Sequence, residues 1–460
     1  MSASIDNLIN VNFTKGRNDL LKFGLMLGGK GDYRPPQFDA ESLKFEYIDA
    51  NESYGIDLNG SRFLQKLTFA ESQDFTRATT GTFIGSNGLI QTAAIDAPRF
   101  THDPVTREVQ GLLIEEQRTN LLTYSEQFDN TAWSEVNSTV TPSSELSPKG
   151  GTGAYVLTGD GTAQRSALIV VIPTYNTGDY YSVSIHLKAG TGRYGYLWFG
   201  TWNFGNARII LDLLTGLVTS VTGTPSYNII TLNNGWFRVE VSESASTGSS
   251  GKSLFIGVTE SPTDIETVTT KSINIWGAQL EEGSFPTSYI PTAGTQVTRA
   301  VDDCVRVLGD EFNPEEGTLY AEAQYLNSNT TTGGTYGLTD GTSSQRMLVV
   351  FEPSGAAGGS SDFITAIITD ANSVAATIPS SVNAVASGFH KVAISYNSTS
   401  FTFAVDGVIV GTASHAGVPT VDRIDGQGGT IGNNGTLTKD LYLFPTALSD
   451  AELTTLTGGT

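Results

Sequence analysis

The sequence predicts an all-β chain, with tandem β-sandwiches behind an extended N-terminal arm. Three observations lead there. Glycine supplies 51 of 460 residues, about 11% where about 7% is usual. Charged residues are 16% of the chain against a usual share of about 25%, so the polar surface rests on Ser, Thr, Asn and Gly, all weak helix formers. Short runs with an apolar residue at every second position recur between turn signals, as half-buried strands should. At about 150 residues per domain the length allows about three units, each able to bury a core.

The charge balance removes several partners. With 26 basic and 47 acidic residues the net charge is −21, whereas a nonspecific grip on nucleic acid or anionic lipid needs excess Lys and Arg. Neither nucleic acid nor membrane insertion is expected. No window approaches 18 uninterrupted apolar residues, and Met1 to Asp6 lacks a basic stretch leading into an apolar core. The expectation is synthesis inside a cell and release by lysis. The single cysteine, Cys304, cannot form an internal disulfide, and no Cys/His spacing suits zinc. No cofactor is expected.

The elements follow in order. Residues 1–74 read as an arm, with Lys15, Arg17, Lys22, Lys30, Arg34 and Lys44 and breaks at Gly28-Gly29 and Pro35-Pro36. Within it Leu21, Phe23, Leu25 and Leu27 alternate, fitting a short strand or one helical turn. Residues 75–119 form a connecting β-rich segment with turns at Ser86-Asn87-Gly88 and Asp103-Pro104. Its apolar residues are separated by Gly and Thr, so it should pack on a neighbour.

All five tryptophans, Trp133, Trp198, Trp202, Trp236 and Trp276, fall within 120–297, which marks one unit with an aromatic core. Tyr181, Val183, Ile185 and Leu187 alternate with Ser182, Ser184, His186 and Lys188. Further strands are expected at 194–199, 207–212, 236–241, 253–258 and 272–276, joined by glycine-bearing turns, the pattern of a β-sandwich. After a linker over 298–316, residues 317–460 repeat the grammar. Val392, Ile394 and Tyr396 alternate, then Phe401, Phe403 and Val405, then Val408 and Val410 beyond the Asp406-Gly407 hairpin signal. Ser449-Asp450-Ala451-Glu452 has capping-box form and predicts a short helix from Asp450. The low-complexity stretches 327–335 and 354–361 read as exposed loops.

Two motifs carry a family resemblance. Asn120 to Phe128 with Trp133 (NLLTYSEQF), and Trp276 to Gly283 (WGAQLEEG), resemble the entry and closing strands of the jelly-roll carbohydrate-binding-module superfamily. With Thr76-Arg77-Ala78, Asp103-Pro104 and Gly111 to Glu116 (GLLIEE), the set resembles a segment common in bacteriophage tail-fibre and minor virion proteins. Leu441 to Phe444 followed by Ala447 to Leu453 resembles the last strand and helix of concanavalin A-like, laminin-G-like sandwiches. The resemblance implies a jelly roll followed by a concanavalin A-like sandwich. It also implies a virion protein that docks on phage tail or baseplate proteins through its N-terminus and recognises a host-surface glycan or protein. A homo-oligomer, with a trimer favoured, made in the host cytoplasm goes with that reading. The alternatives are a capsid fibre or baseplate protein that cements its neighbours without a receptor role, or a glycan depolymerase. Superfamily members that hold a structural calcium often use an acid in the closing strand. Gly277 and Ala278 stand there in this chain, which leaves Glu126 as the acid of the entry motif.

Catalysis has little to stand on. Glycan cleavage needs two carboxylates facing one sugar, about 5–10 Å apart. Glu115-Glu116, Glu281-Glu282, Asp302-Asp303 and Glu315-Glu316 are adjacent pairs, and neighbours on a strand point to opposite faces. His102, His186, His390 and His415 have no motif spacing, and His390 reads as a strand-end residue. No enzyme activity is expected. Asp406-Gly407 and the acidic loop Asp422 to Asp425 read as turn residues, and Cys304 as a junction residue. Thr76-Arg77-Ala78 and Thr298-Arg299-Ala300 are a three-residue echo. For sugar binding, Tyr194, Tyr196 and Trp198 share one strand face, with Leu197 and Phe199 on the other. If the latter pair is core, the aromatic row is an exposed platform for a sugar or protein; the alternative is that the row is itself buried.

Overall fold

A computed structural model describes residues 43–46, 54–57, 65–67 and 73–458, except 173–178, 201–206, 245–251, 310–311, 327–333, 352–362, 372, 384–387, 416 and 427–434. The alternating run of Leu21 to Leu27, Trp202 and most of the two low-complexity stretches lie outside the described residues.

The chain is all-β, with one α-helix among the described residues. Residues 134–282 form two six-stranded antiparallel sheets. Their inner faces are the alternating apolar residues the sequence marks: Tyr181, Val183, Ile185 and Leu187 from one sheet meet Leu197, Phe199, Ile209 and Leu211 from the other. Trp133 closes this core, its Nε1 donating to the Tyr124 carbonyl at 2.9 Å.

The second sandwich is built on the last third of the chain. Glu316–Tyr325, His390–Asn397, Ser400–Val405, Val408–Ser414 and Thr436–Phe444 lie in one sheet. Arg346–Phe351, Phe363–Asp370, Gly334–Thr339 and Ser373–Asn383 lie in the other. The hairpin at Asp406-Gly407 turns with both residues at positive φ, 47° and 82°, the requirement that selects Asp-Gly there. Helix Asp450–Gly458 begins where the capping box sets it: the Ser449 N–H donates to Glu452 Oε2 at 2.8 Å.

Earlier residues complete this sandwich. Leu43–Glu46 and Val109–Ile114 both pair with Thr436–Phe444, the first along its end half and the second along its beginning. Asp74–Thr76 pairs with Asp303–Val307 in the opposite sheet. Phe75, Phe100, Leu112 and Ile114 enter the same core as Leu319, Phe351 and Phe403. Strands within the expected arm and connecting segment are thus structural members of the C-terminal unit, and the sandwich of two six-stranded sheets is inserted between them. The insertion's entry and exit, Arg118–Asn120 and Val297–Arg299, pair with each other as a two-stranded neck.

At the foot of that neck lies a buried ionic cluster. Arg77, Arg99 and Arg299 are among the largest fully buried side chains. Asp302 accepts from Arg77 Nη1 at 3.0 Å on one oxygen, and from Arg99 and the Glu115 N–H, at 2.8 Å, on the other. Glu115 accepts from Arg99 at 2.6 Å and from the Ser288 N–H and hydroxyl at 2.8 and 2.7 Å, with Arg299 3.5 Å away. Burial alone raises a carboxyl's pKa, but Arg299, Arg99 and the Ser288 bonds outweigh it and hold Glu115 at about 2. A pKa below the ordinary 4.5 adds stability above about pH 4.5 that is lost as pH falls towards 2. Replacing Asp302 by Ala leaves three buried guanidiniums short of a partner and is expected to cost about 3–5 kcal/mol. Urea denaturation at pH 7 measures it.

Candidate functional site

Two outward sheet faces of the inserted sandwich carry the chemistry. The first holds the row Tyr194, Tyr196 and Trp198, and the expected parity is correct, because Leu197 and Phe199 are core. An exposed platform does not follow. Tyr196 and Trp198 are 1% and 6% exposed, under a second apolar layer with Ala167, Ile210, Phe255 and Ile265. Trp198 stacks on Phe255 at 4.3 Å between centroids. Tyr196 lies flat over Gly257, where a Cβ would come within 2.0 Å of its ring, and its hydroxyl donates to the Ser166 carbonyl at 3.2 Å. The correction has a simple cause: the loop carrying Ile265 folds back across the face, which strand periodicity does not encode.

Only Tyr194 reaches solvent. It stands opposite Asp212 across the strand pair, with the Arg193 guanidinium 5.4 Å from its ring centroid. Arg193 donates twice to Asp212 Oδ2, at 3.0 and 2.6 Å, and Asp212 Oδ1 takes the Leu214 N–H at 3.0 Å. The hydrogen bond from Arg193 holds the Asp212 carboxyl below its usual range despite burial. A half-exposed ring, a mostly exposed guanidinium and an oriented carboxylate share this rim, a combination that can hydrogen-bond a polyhydroxylated ligand and pack against its apolar face. Sequence reading missed Arg193 and Asp212; the signal was the Arg-Tyr dipeptide opening a strand whose partner strand ends in Asp.

The second face is polar and covered. Ser182, Ser184 and His186 line the central strand, flanked by Arg238 and Glu240 on one side and Gln279 and Glu281 on the other. Residues 284–292 and the hairpin Gly81–Ala93, whose turn is at Ser86-Asn87-Gly88, lie against it. Ile90 packs with Trp236, Trp276 and Tyr289, and Thr82 donates to the Tyr289 carbonyl at 2.5 Å. Glu281 accepts from Gln279 at 2.7 Å and from the Thr287 N–H and hydroxyl at 2.7 and 2.6 Å, while Glu240 meets Arg238 at 3.2 Å and Asn228 at 3.1 Å. Burial raises both carboxyls. The two acids sit two strand spacings apart, about 10 Å, yet chain, not a groove, lies over them. His186 is pushed down to about 3, by burial and then by Arg238. Its Nδ1 donates to the Trp276 and Gly277 carbonyls at 3.2 and 3.1 Å, which fixes the neutral tautomer.

Gly277 has φ 61°, and a Cβ there would stand 3.0 Å from His186 Nδ1. The residue that departs from the calcium-holding pattern thus serves a bulge in the closing strand, where the register shifts between Ser184 and His186. Glu126 is paired with Lys149 at 2.7 Å and accepts from Tyr289 at 3.1 Å. The adjacent acid pairs split as alternation requires: Glu115, Glu281 and Asp302 are buried, while Glu282 and Asp303 face solvent. Asp406 accepts from Lys391 N–H at 2.9 Å and meets His390 Nδ1 at 2.7 Å, and Asp422 pairs with Arg423 at 2.7 Å. Cys304 is buried, donating to Gln73 Oε1 at 2.7 Å.

No family model matches the chain and no curated protein matches it. Among solved structures, the binding domain of Paraclostridial Mosquitocidal Protein 1 is similar at 13% identity and TM-score 0.28, over 34% of this chain; the match spans only 40% of that chain. The CBM40 domain of the Ruminococcus gnavus IT-sialidase, bound to α2,3-sialyllactose, is similar at 15% identity and TM-score 0.26, over 32% of this chain and 84% of that one. Domain 4 of AbnA, a GH43 extracellular arabinanase from Geobacillus stearothermophilus, in complex with arabinotriose, gives 10% identity and TM-score 0.27, over 38% and 83%. Likeness at this level carries no argument about ligand or residues.

Two outcomes test the geometry. Trp198→Ala should cost about 3–5 kcal/mol of stability, and Tyr194→Ala less than about 1.5 kcal/mol, both read by urea denaturation. Burial raises the Glu243 carboxyl from 4.5 to about 7. A raised carboxyl destabilises increasingly as pH climbs from about 4.5 to 7, so Glu243→Gln should raise the thermal midpoint at pH 8 and leave it nearly unchanged at pH 4.

Proposed function

We propose that this chain is a structural and recognition protein of a bacteriophage virion, a tail fibre or receptor-binding protein without catalytic activity. It docks on tail or baseplate proteins through its N-terminal residues, assembles as a homo-oligomer with a trimer favoured, and is made in the host cytoplasm. Its partner is a host-surface glycan or protein, met at the rim of Arg193, Tyr194 and Asp212.

One observation carries the reading. The residues behind the resemblance to phage fibre proteins, Arg77 in Thr76-Arg77-Ala78 and Glu115 in GLLIEE, converge with Asp302 on the buried cluster that fixes one sandwich to the other. A buried joint of this kind suits a fibre that must transmit load. The buried acids that a depolymerase would recruit are engaged by Arg238, Asn228, Thr287 and Gln279.

The test is saturable binding of the full chain to intact candidate host cells, scored beside release of reducing sugar from their surface polysaccharide. Binding without release is expected, weakened about tenfold, or about 1.4 kcal/mol, by Tyr194→Ala or Arg193→Ala. Sugar release would replace the reading with a depolymerase. Virion incorporation without cell binding would replace it with a cementing role.

A further inference from the structure

The outermost strands of the sheets are guarded unequally. An edge strand offers unpaired N–H and C=O groups to any passing strand, and natural sheets blunt it with charge, proline or cover. On one side of the inserted sandwich the edges are Ser134–Val136 and Ser138–Pro142. There Glu135 Oε1 occupies the Val140 N–H at 2.8 Å, and Pro142 ends the second strand. In the C-terminal sandwich, edge Val408–Ser414 packs on helix Asp450–Gly458, and the Gly407 N–H beside it donates to Thr457 at 3.0 Å.

The opposite edges of the inserted sandwich, Leu217–Thr222 of one sheet and Ser226–Thr231 of the other, have no such guard among the described residues. They are consecutive strands, joined by Gly223-Thr224-Pro225. They sit inside the longest uncharged run of the chain, the 25 residues from Leu213 to Phe237, which contain no Asp, Glu, Lys or Arg. No residue from 214 to 231 is buried. Leu214, Leu217, Val221 and Tyr227 are 65%, 66%, 44% and 46% exposed. Val, Ile, Thr and Tyr favour strands, so these edges are well-formed templates.

We propose that these two edges form the surface on which a second copy of the same chain docks. Charge selects the occupant. A chain of net charge −21 repels its own copies wherever its acids face each other, and the uncharged run is where two copies approach at least cost. A basic partner would instead be drawn to the acidic remainder. A strand edge also suits a copy of itself, because antiparallel pairing of one edge with its symmetry mate satisfies both rows of main-chain groups and buries the exposed apolar side chains. This rests on the oligomer part of the proposed function, puts a twofold dimer in place of the trimer favoured there, and does not depend on the receptor part.

The experiment is sedimentation velocity of the full chain across a wide concentration range, with Val221→Lys and, independently, Tyr227→Lys. Both positions are exposed, so unchanged thermal midpoints verify that the variants fold. The wild type is expected to self-associate, more strongly at high salt as residual repulsion is screened, and each variant to weaken association at least about tenfold. A wild type that stays monomeric throughout overturns the proposal, as do variants that associate undiminished. A monomeric wild type whose variants lose cell binding would make the edge a receptor contact instead. Oligomer loss in the variants without any cell binding by the wild type leaves this interface standing and removes the receptor reading.

Discussion

The carboxyl of Asp302 is buried inside the protein, and guanidiniums reach it from distant parts of the chain. Desolvating a carboxylate costs several kcal/mol, and here the compensation arrives from Arg77, Arg99 and the Glu115 amide. Each of those groups is anchored to a different strand, so satisfying one buried charge fixes where four segments cross. Arginine suits the task and lysine does not, because the planar fork reaches several acceptors at once. Arg77 gives hydrogen bonds to the Thr79, Ala94 and Ala97 carbonyls as well as to Asp302. A point charge on a flexible stem would pair with the acid and leave those carbonyls unmet.

For the recognition role proposed above, the joint would supply preorganisation. A binding rim on a loosely tethered domain loses affinity to the ordering of that domain. Here the neck strands pair, the neck's Arg299 donates to the Glu116 carbonyl at 2.7 Å, and Ser288 at the base of the inserted sandwich is bonded to Glu115 of the C-terminal one. The Arg193, Tyr194 and Asp212 rim is therefore held on a scaffold whose two halves share one charge network.

Strand identity was legible wherever it depended on local periodicity, as in 180–189, 194–200 and the meander 390–414, and so were the Asp406-Gly407 turn and the Ser449 cap. Those features are written within a few residues. What was not legible is which strands lie together. Nothing in Leu112 or Phe75 names a partner hundreds of residues away, because pairing across such distances is decided by the finished core. The echo of Thr76-Arg77-Ala78 in Thr298-Arg299-Ala300 was the visible trace of the joint: Arg77 donates to Asp302, and Arg299 lies 3.9 Å from it. Arg99, at the cluster's centre, had no motif to mark it. For the aromatic row, parity told which side each ring faces, and only the fold-back of Ile265 decided that two of the three rings are hidden.

The insertion of one sandwich within the other sets a timetable for synthesis. Thr436–Phe444, near the end of the chain, is the strand to which both Leu43–Glu46 and Val109–Ile114 pair. A ribosome therefore releases the inserted sandwich, complete in its own sheets, while the early strands still wait for a partner not yet translated. The outer sandwich closes last, around a domain already folded, and a chain that stops before Thr436 leaves those early strands without the strand they pair with. Closure of the outer sandwich thereby waits on Thr436–Phe444, and a chain that lacks that strand cannot close it.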